Sequence, residues 1–122
     1  MTRVLYRHFG PMLSMSIKGH AGYGEKGGDV VCAGVSACAF TLLRAAEYAH
    51  DKGLADPLRK TVDPEGPVFL IEMRTVDKVT KGIFDAVFGG LQMIAAAYPD
   101  WVSCEERGDT PPRQKRFEHN MP

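Results

Sequence analysis

At 122 residues and 13.4 kDa the chain is one domain, with room for a real core and none for a second. Its 44% apolar content excludes a disordered polypeptide, and with a formal net charge of zero nothing global suggests nucleic-acid binding. Three widely spaced cysteines, an odd number, and an opening M-T-R-V-L-Y-R whose charges interrupt any apolar leader point to a reduced, cytoplasmic setting. The longest uncharged stretches, Val30–Leu43 and Ala86–Pro99, are 14 residues each, short of a bilayer span. Charge is uneven all the same. Arg3, Arg7, Lys18 and Lys26 meet only Glu25 before Asp29, and the C-terminal stretch carries Arg113, Lys115 and Arg116. A solvated charged face is the first reading of such an imbalance, and a basic patch the second.

Arg3–Phe9 and Leu13–Lys18 read as two strands joined by a tight turn at Gly10-Pro11. In the second strand Leu13, Met15 and Ile17 share one face; Ser14, Ser16, Lys18 and, by parity, His20 share the other. A glycine-rich loop follows, with Gly22, Gly24, Gly27 and Gly28 around Tyr23. Asp29 is suited to cap a helix running to about Asp51 and stopped by Gly53, which places Cys32 at the third helical position. The core spacing Val31, Val35, Cys38, Leu42, Ala45, Ala49 puts Cys38 in the buried stripe and leaves Cys32 accessible, one turn from Ser36.

Residues 54–67, with three prolines and a glycine, read as loop. Val68–Met73 reads as an inner strand, apolar on both parities apart from Glu72. Asp77 caps a second helix to about Tyr98, with Val79, Ile83, Val87, Leu91 and Ile94 as its main stripe. Phe84 and Phe88 widen that apolar arc beyond one sheet face, as an oversized core or a helix shared with a partner subunit would require. Trp101–Glu106 is a short last strand. The order ββαβαβ predicts an α+β fold: a two-layer α/β sandwich, a four-stranded sheet with two helices. The domain is expected over residues 1–106, and the basic, proline-containing residues 107–122, including His119, as a mobile tail.

The chemistry concentrates in G-H-A-G-Y-G-E-K-G-G-D-V-V-C, where a histidine and a cysteine flank the glycine loop. Unpaired backbone N–H groups and the helix dipole favour an anion at a first turn, and the anionic form of a thiol is the nucleophile. With His20 as acid and base, Cys32 can form and release an acyl-enzyme, the N–H groups of Val31 to Ala33 serving as oxyanion donors. Asp29 caps the helix or orients the imidazole. A glycine loop before a helix also describes an anion site, although no Gly-Lys-Ser or Gly-Lys-Thr marks a P-loop, and a lone accessible thiol also describes a redox switch. No Cys-x-x-Cys pair or histidine cluster offers a metal site.

The stretch Gly19–Ala37 resembles the signature of the ribosomal-processing cysteine protease family in His20, Tyr23-Gly24, Asp29, Cys32-Ala33 and Ser36-Ala37. The resemblance covers about residues 3–106 and puts the family's catalytic histidine on His20 and its cysteine on Cys32. It implies an endopeptidase that removes an N-terminal extension from large-subunit ribosomal protein 27 after an aromatic-rich site, during ribosome maturation. It further implies a homodimer with no cofactor, and an apolar groove for aromatic side chains. Its discriminating alternative is a ribosome-assembly or anion-binding protein that uses the loop without turnover.

Overall fold

The structure is a computed structural model and describes residues 1–19, 29–56, 58–63 and 68–108. The elements are β1 (Thr2–Phe9), β2 (Met12–Lys18), α1 (Val30–Asp51), β3 (Leu58–Asp63), β4 (Val68–Arg74), α2 (Lys78–Ala97) and β5 (Val102–Gly108). The fold is α+β: one mixed five-stranded sheet in the order β3-β4-β2-β1-β5, with two helices. β1 pairs antiparallel with β2 and parallel with β5, and β4 lies antiparallel between β2 and β3.

The fifth strand corrects the four-stranded expectation. β3 falls inside the stretch read as loop because L-R-K-T-V-D places charge on both parities, as an edge strand tolerates. It aligns Asp63 with Val68 and Leu58 with Met73. β4 accordingly takes the inner position that its apolar run demands. β5 runs on to Gly108, two residues past the expected end of the last strand.

One sheet face carries the core. Val4 and Tyr6 of β1, Leu13, Met15 and Ile17 of β2, Phe69, Ile71 and Met73 of β4, and Val102 of β5 are buried beneath the helices. The alternation in β1 and β2 is what strands with one covered face require. Gly10, with φ of 54°, makes the turn between them.

Both helices bury stripes offset from the expected ones. In α1 the buried residues are Val31, Val35, Ala39, Leu42, Ala46 and Ala49. Cys38 and Ala45 are only partly buried, because α1 packs on α2 as well as on the sheet. Cys38 turns toward α2, where its Sγ lies 3.8 Å from where a Cβ on Gly90 would sit. In α2 the buried set is Thr80, Phe84, Phe88 and Leu91, while Val79 is 69% exposed and Ile83, Val87 and Ile94 are half-buried.

Phe84 and Phe88 are therefore the centre of the core rather than a surplus for a partner subunit. Their rings pack on Tyr6 with centroids 6.3 and 5.2 Å away. The Tyr6 hydroxyl donates to Asp85 at 2.7 Å and Lys81 pairs with the same carboxylate at 3.0 Å, which satisfies the polar tip of a buried ring.

By length and composition α1, at 22 residues, could cross a membrane. Within this fold 28% of that span is buried, chiefly the stripe from Val31 to Ala49.

Candidate active site

Asp29 opens α1 with extended backbone (φ −80°, ψ 101°), and its carboxylate accepts the Cys32 N–H at 2.9 Å. The first helical bond runs from the Ala33 N–H to the Asp29 carbonyl at 3.0 Å. Asp29 thus holds the turn from which Cys32 projects, using one side-chain acceptor and one backbone acceptor. The arrangement also corrects the expected oxyanion donors. The Cys32 and Ala33 N–H groups are engaged within the turn, so of the three only the Val31 N–H has no partner among the described residues.

The Cys32 side chain is half-buried and reduced. It lies on the wall of a groove of 500 Å³ where α1 meets the ends of β2 and β3 and the starts of β1 and β4. Cys32, Ser36 and Phe40, at successive turns of α1, line one side; Val62, Val68 and Phe69 line the other. The groove is mainly apolar, with Asp63 the one charged residue on it among those described. Such a trough accepts an extended peptide carrying apolar or aromatic side chains and keeps water from part of the thiol's surroundings.

Gly19 closes the end of β2 on the same groove. Its φ of 90° belongs to glycine, and a Cβ there would come within 2.5 Å of the Met1 carbonyl oxygen. Its own carbonyl accepts the hydroxyl of the buried Thr2 at 3.1 Å. The residue before His20 is thereby tied down beside Cys32. His20 itself, with Gly22, Tyr23, Gly24, Gly27 and Gly28, lies outside the described residues, as do Lys26 and the tail from 109 onward.

The other two thiols are distinct in their surroundings. Burial pushes the Cys38 thiol up from its ordinary value and the Cys104 thiol up to about 11. Both are therefore poor nucleophiles near neutrality. Among the described residues no cluster of His, Cys, Asp or Glu could hold a metal ion.

Sequence reasoning located Cys32 and Ser36 on α1 and Asp29 at its cap but missed the opposite wall. Phe40 was legible as the residue eight positions after Cys32 on the same helical face. Val62 and Asp63 were not, since they belong to the strand read as loop.

Comparison with known proteins now bears on this site. The profile of the cysteine protease Prp family matches residues 1–103. No curated protein matches the chain. Among solved structures, an essential ribosomal processing protease Prp from S. aureus, bound to a covalently linked product peptide, is 25% identical with a TM-score of 0.68. The match covers 87% of this chain and 99% of that one. SMU.848 from Streptococcus mutans is 25% identical over 89% of this chain and 96% of its own, with a TM-score of 0.65. The S. aureus protease with a substrate peptide, at 24% identity, 87% and 99% coverage and a TM-score of 0.64, shares the fold. With most of its length matched by that profile, the chain belongs to the Prp family of cysteine proteases.

Proposed function

We propose that this protein is a cytoplasmic cysteine endopeptidase that removes the N-terminal extension of large-subunit ribosomal protein 27 during ribosome maturation, with His20 and Cys32 as its dyad. The observation that carries the reading is the half-buried Cys32 thiol on the wall of a peptide-sized apolar groove, with the residue preceding His20 anchored on the same groove. The related S. aureus protease was solved with a covalently linked product peptide, which fits a nucleophilic thiol in this position.

In the first step the Cys32 thiol gives its proton to His20 and the sulfur attacks the scissile carbonyl carbon. The S–C bond forms, the carbonyl electrons move to oxygen, and their return expels the amine as His20 gives it a proton. Water, losing a proton to His20, then adds to the thioester and expels the thiolate, releasing the carboxylate. The Val31 N–H is the available first-turn donor for the oxyanion. Gly22, Gly24, Gly27 and Gly28 allow the loop with Tyr23 to lie against the substrate backbone, and Ser36 flanks the thiol one turn along α1. Asp29 acts as helix cap. The reaction needs no cofactor and no nucleic acid, and the domain expected over residues 1–106, whose last strand runs on to Gly108, suffices for it, the basic tail beyond being an appendage.

The same reading carries a homodimer. Phe40, Tyr48, Leu54 and Val79 are 61%, 53%, 43% and 69% exposed along a groove between α1 and the start of α2, a surface that a second copy would cover.

Mass spectrometry of the extended ribosomal-protein precursor, incubated with wild-type protein or Cys32→Ala, tests the activity. One new N-terminus made only by the wild type is expected. Intact precursor in both, with folded and reduced enzyme, would leave a binding protein in its place.

A further inference from the structure

The helices cover one face of the sheet, and none of the described elements covers the other. The strand registers place Arg3, Arg7, Lys18, Arg59, Arg74 and Arg107 on that open face, against the carboxylates of Asp63, Glu72 and Glu105. All six cations are exposed. The remaining described residues carry five lysines and arginines against eight carboxylates. Among the described residues, charge is therefore split into a positive sheet face and a negative remainder.

Two features show that this charge is concentrated rather than balanced. Arg59 pairs with Glu72 at 3.7 Å and Arg107 with Glu105 at 2.9 Å, but Arg3, Arg7, Lys18 and Arg74 have no carboxylate partner among the described residues. In addition, Arg3 stands directly opposite Lys18 on β2, and Arg7 directly opposite Arg107 on β5. Like charges in directly facing positions oppose folding. Folding alone gives no reason to keep two such pairs on one face; a polyanion laid across it does.

We propose that the open sheet face binds the phosphate backbone of single-stranded RNA. Arg3, Arg7 and Lys18 form a strip about 13 Å long across β1 and β2, a track suited to a thread-like anion. At one end Phe9, 45% exposed beside Met12, offers an aromatic face for a stacked base. These are the only two large apolar side chains of the described open face exposed to that degree apart from Val68 at the far end, too few to insert into a lipid surface. The site lies across the sheet from the helices and stands on charge placement alone, independently of the proteolytic reading.

Fluorescence anisotropy of the full chain with a labelled oligouridylate of about 20 nucleotides tests this. Neutralising four phosphates, at the strip and at the neighbouring Arg74, predicts an affinity that falls roughly fifty-fold between about 50 and 200 mM salt. Arg3→Glu/Arg7→Glu should weaken binding at least tenfold and flatten the salt slope. Lys78→Glu, the same kind of charge reversal on exposed α2, should change it less than about twofold. Thermal melts of the double variant should be unchanged or raised, since it turns both like-charge pairs into attractive ones. Lack of binding at low salt, or equal losses in the two variants, would overturn the proposal. So would binding of phosphatidylglycerol vesicles without RNA binding, or self-association through this face in sedimentation.

Discussion

The carboxylate that caps α1 accepts the backbone N–H of the cysteine itself, Asp29 Oδ1 to Cys32 N at 2.9 Å. An asparagine at that position keeps the acceptor and loses the charge, whereas alanine loses both. Asp29→Ala should therefore cost about 1 kcal/mol of stability, and Asp29→Asn little. If capping is the whole role, Asp29→Asn retains most of the cleavage rate. A rate that collapses in Asp29→Asn at unchanged melting temperature would instead make the charge an orienter of His20.

The three thiols should separate by reactivity. Burial raises the Cys38 thiol and takes Cys104 to about 11, so both stay protonated at neutral pH. Limited alkylation with iodoacetamide near pH 7.5, followed by peptide mapping, should label Cys32 first and Cys104 last. Cys38→Ala should keep its turnover with a stability loss of roughly 1 kcal/mol. Turnover lost in a folded Cys38→Ala variant would reverse the assignment of roles.

How far this was legible from the sequence depends on how local the signal is. The β1–β2 hairpin, the Asp29 and Asp77 caps and both helix lengths follow from alternation, cap chemistry and stop residues, all local in the chain. The α1 stripe was misplaced by one residue at Cys38 and Ala45 because two partners, the sheet and α2, pull the buried arc between them. β3 carries no local signature, being an edge strand held by the register of Val62 with Phe69 and Asp63 with Val68. The groove inherits the same division: its α1 wall was visible and its β3 wall was not.

Gly19 is required twice over, by its φ of 90° and by the Met1 carbonyl 2.5 Å from where a Cβ would stand. Gly19→Ala should cost about 1–3 kcal/mol in denaturant unfolding. It should also lower kcat/KM by more than that instability explains, because position 19 sets the chain's course into His20. Gly10→Ala is the control: φ is 54° but nothing lies within 4 Å, so it carries backbone strain without the clash or the rate effect.

Asp77 supplies a pH test. Its carboxylate accepts the Thr80 hydroxyl at 2.7 Å and the Thr80 N–H at 2.9 Å. Those bonds, the side-chain one first, hold it below the ordinary carboxylate range. A depressed folded value means the contribution is fully present above the unfolded pKa of about 3.9 and is lost as pH falls through the folded one. Asp77→Ala should melt below the wild type at pH 7, the gap shrinking steadily as the pH drops beneath about 4. A gap that stays constant into acid would mean that the cap acts without its charge.

The edge strand offers the cleanest test of the groove. Val62 lines it opposite α1, yet is 42% exposed, so a polar replacement there need not disturb the core. Val62→Asp adds a second carboxylate beside Asp63 on a surface meant for apolar side chains. A methylene's worth of contact in a hydrophobic pocket is worth about 1–3 kcal/mol, so the loss here should raise KM roughly 10- to 200-fold. The kcat should change little, because Val62 lies across the groove from the thiol and touches no reacting atom. Steady-state kinetics on a synthetic extension peptide separates the two parameters. An unchanged KM would place the peptide's apolar contacts away from β3, toward the Phe40 end of α1.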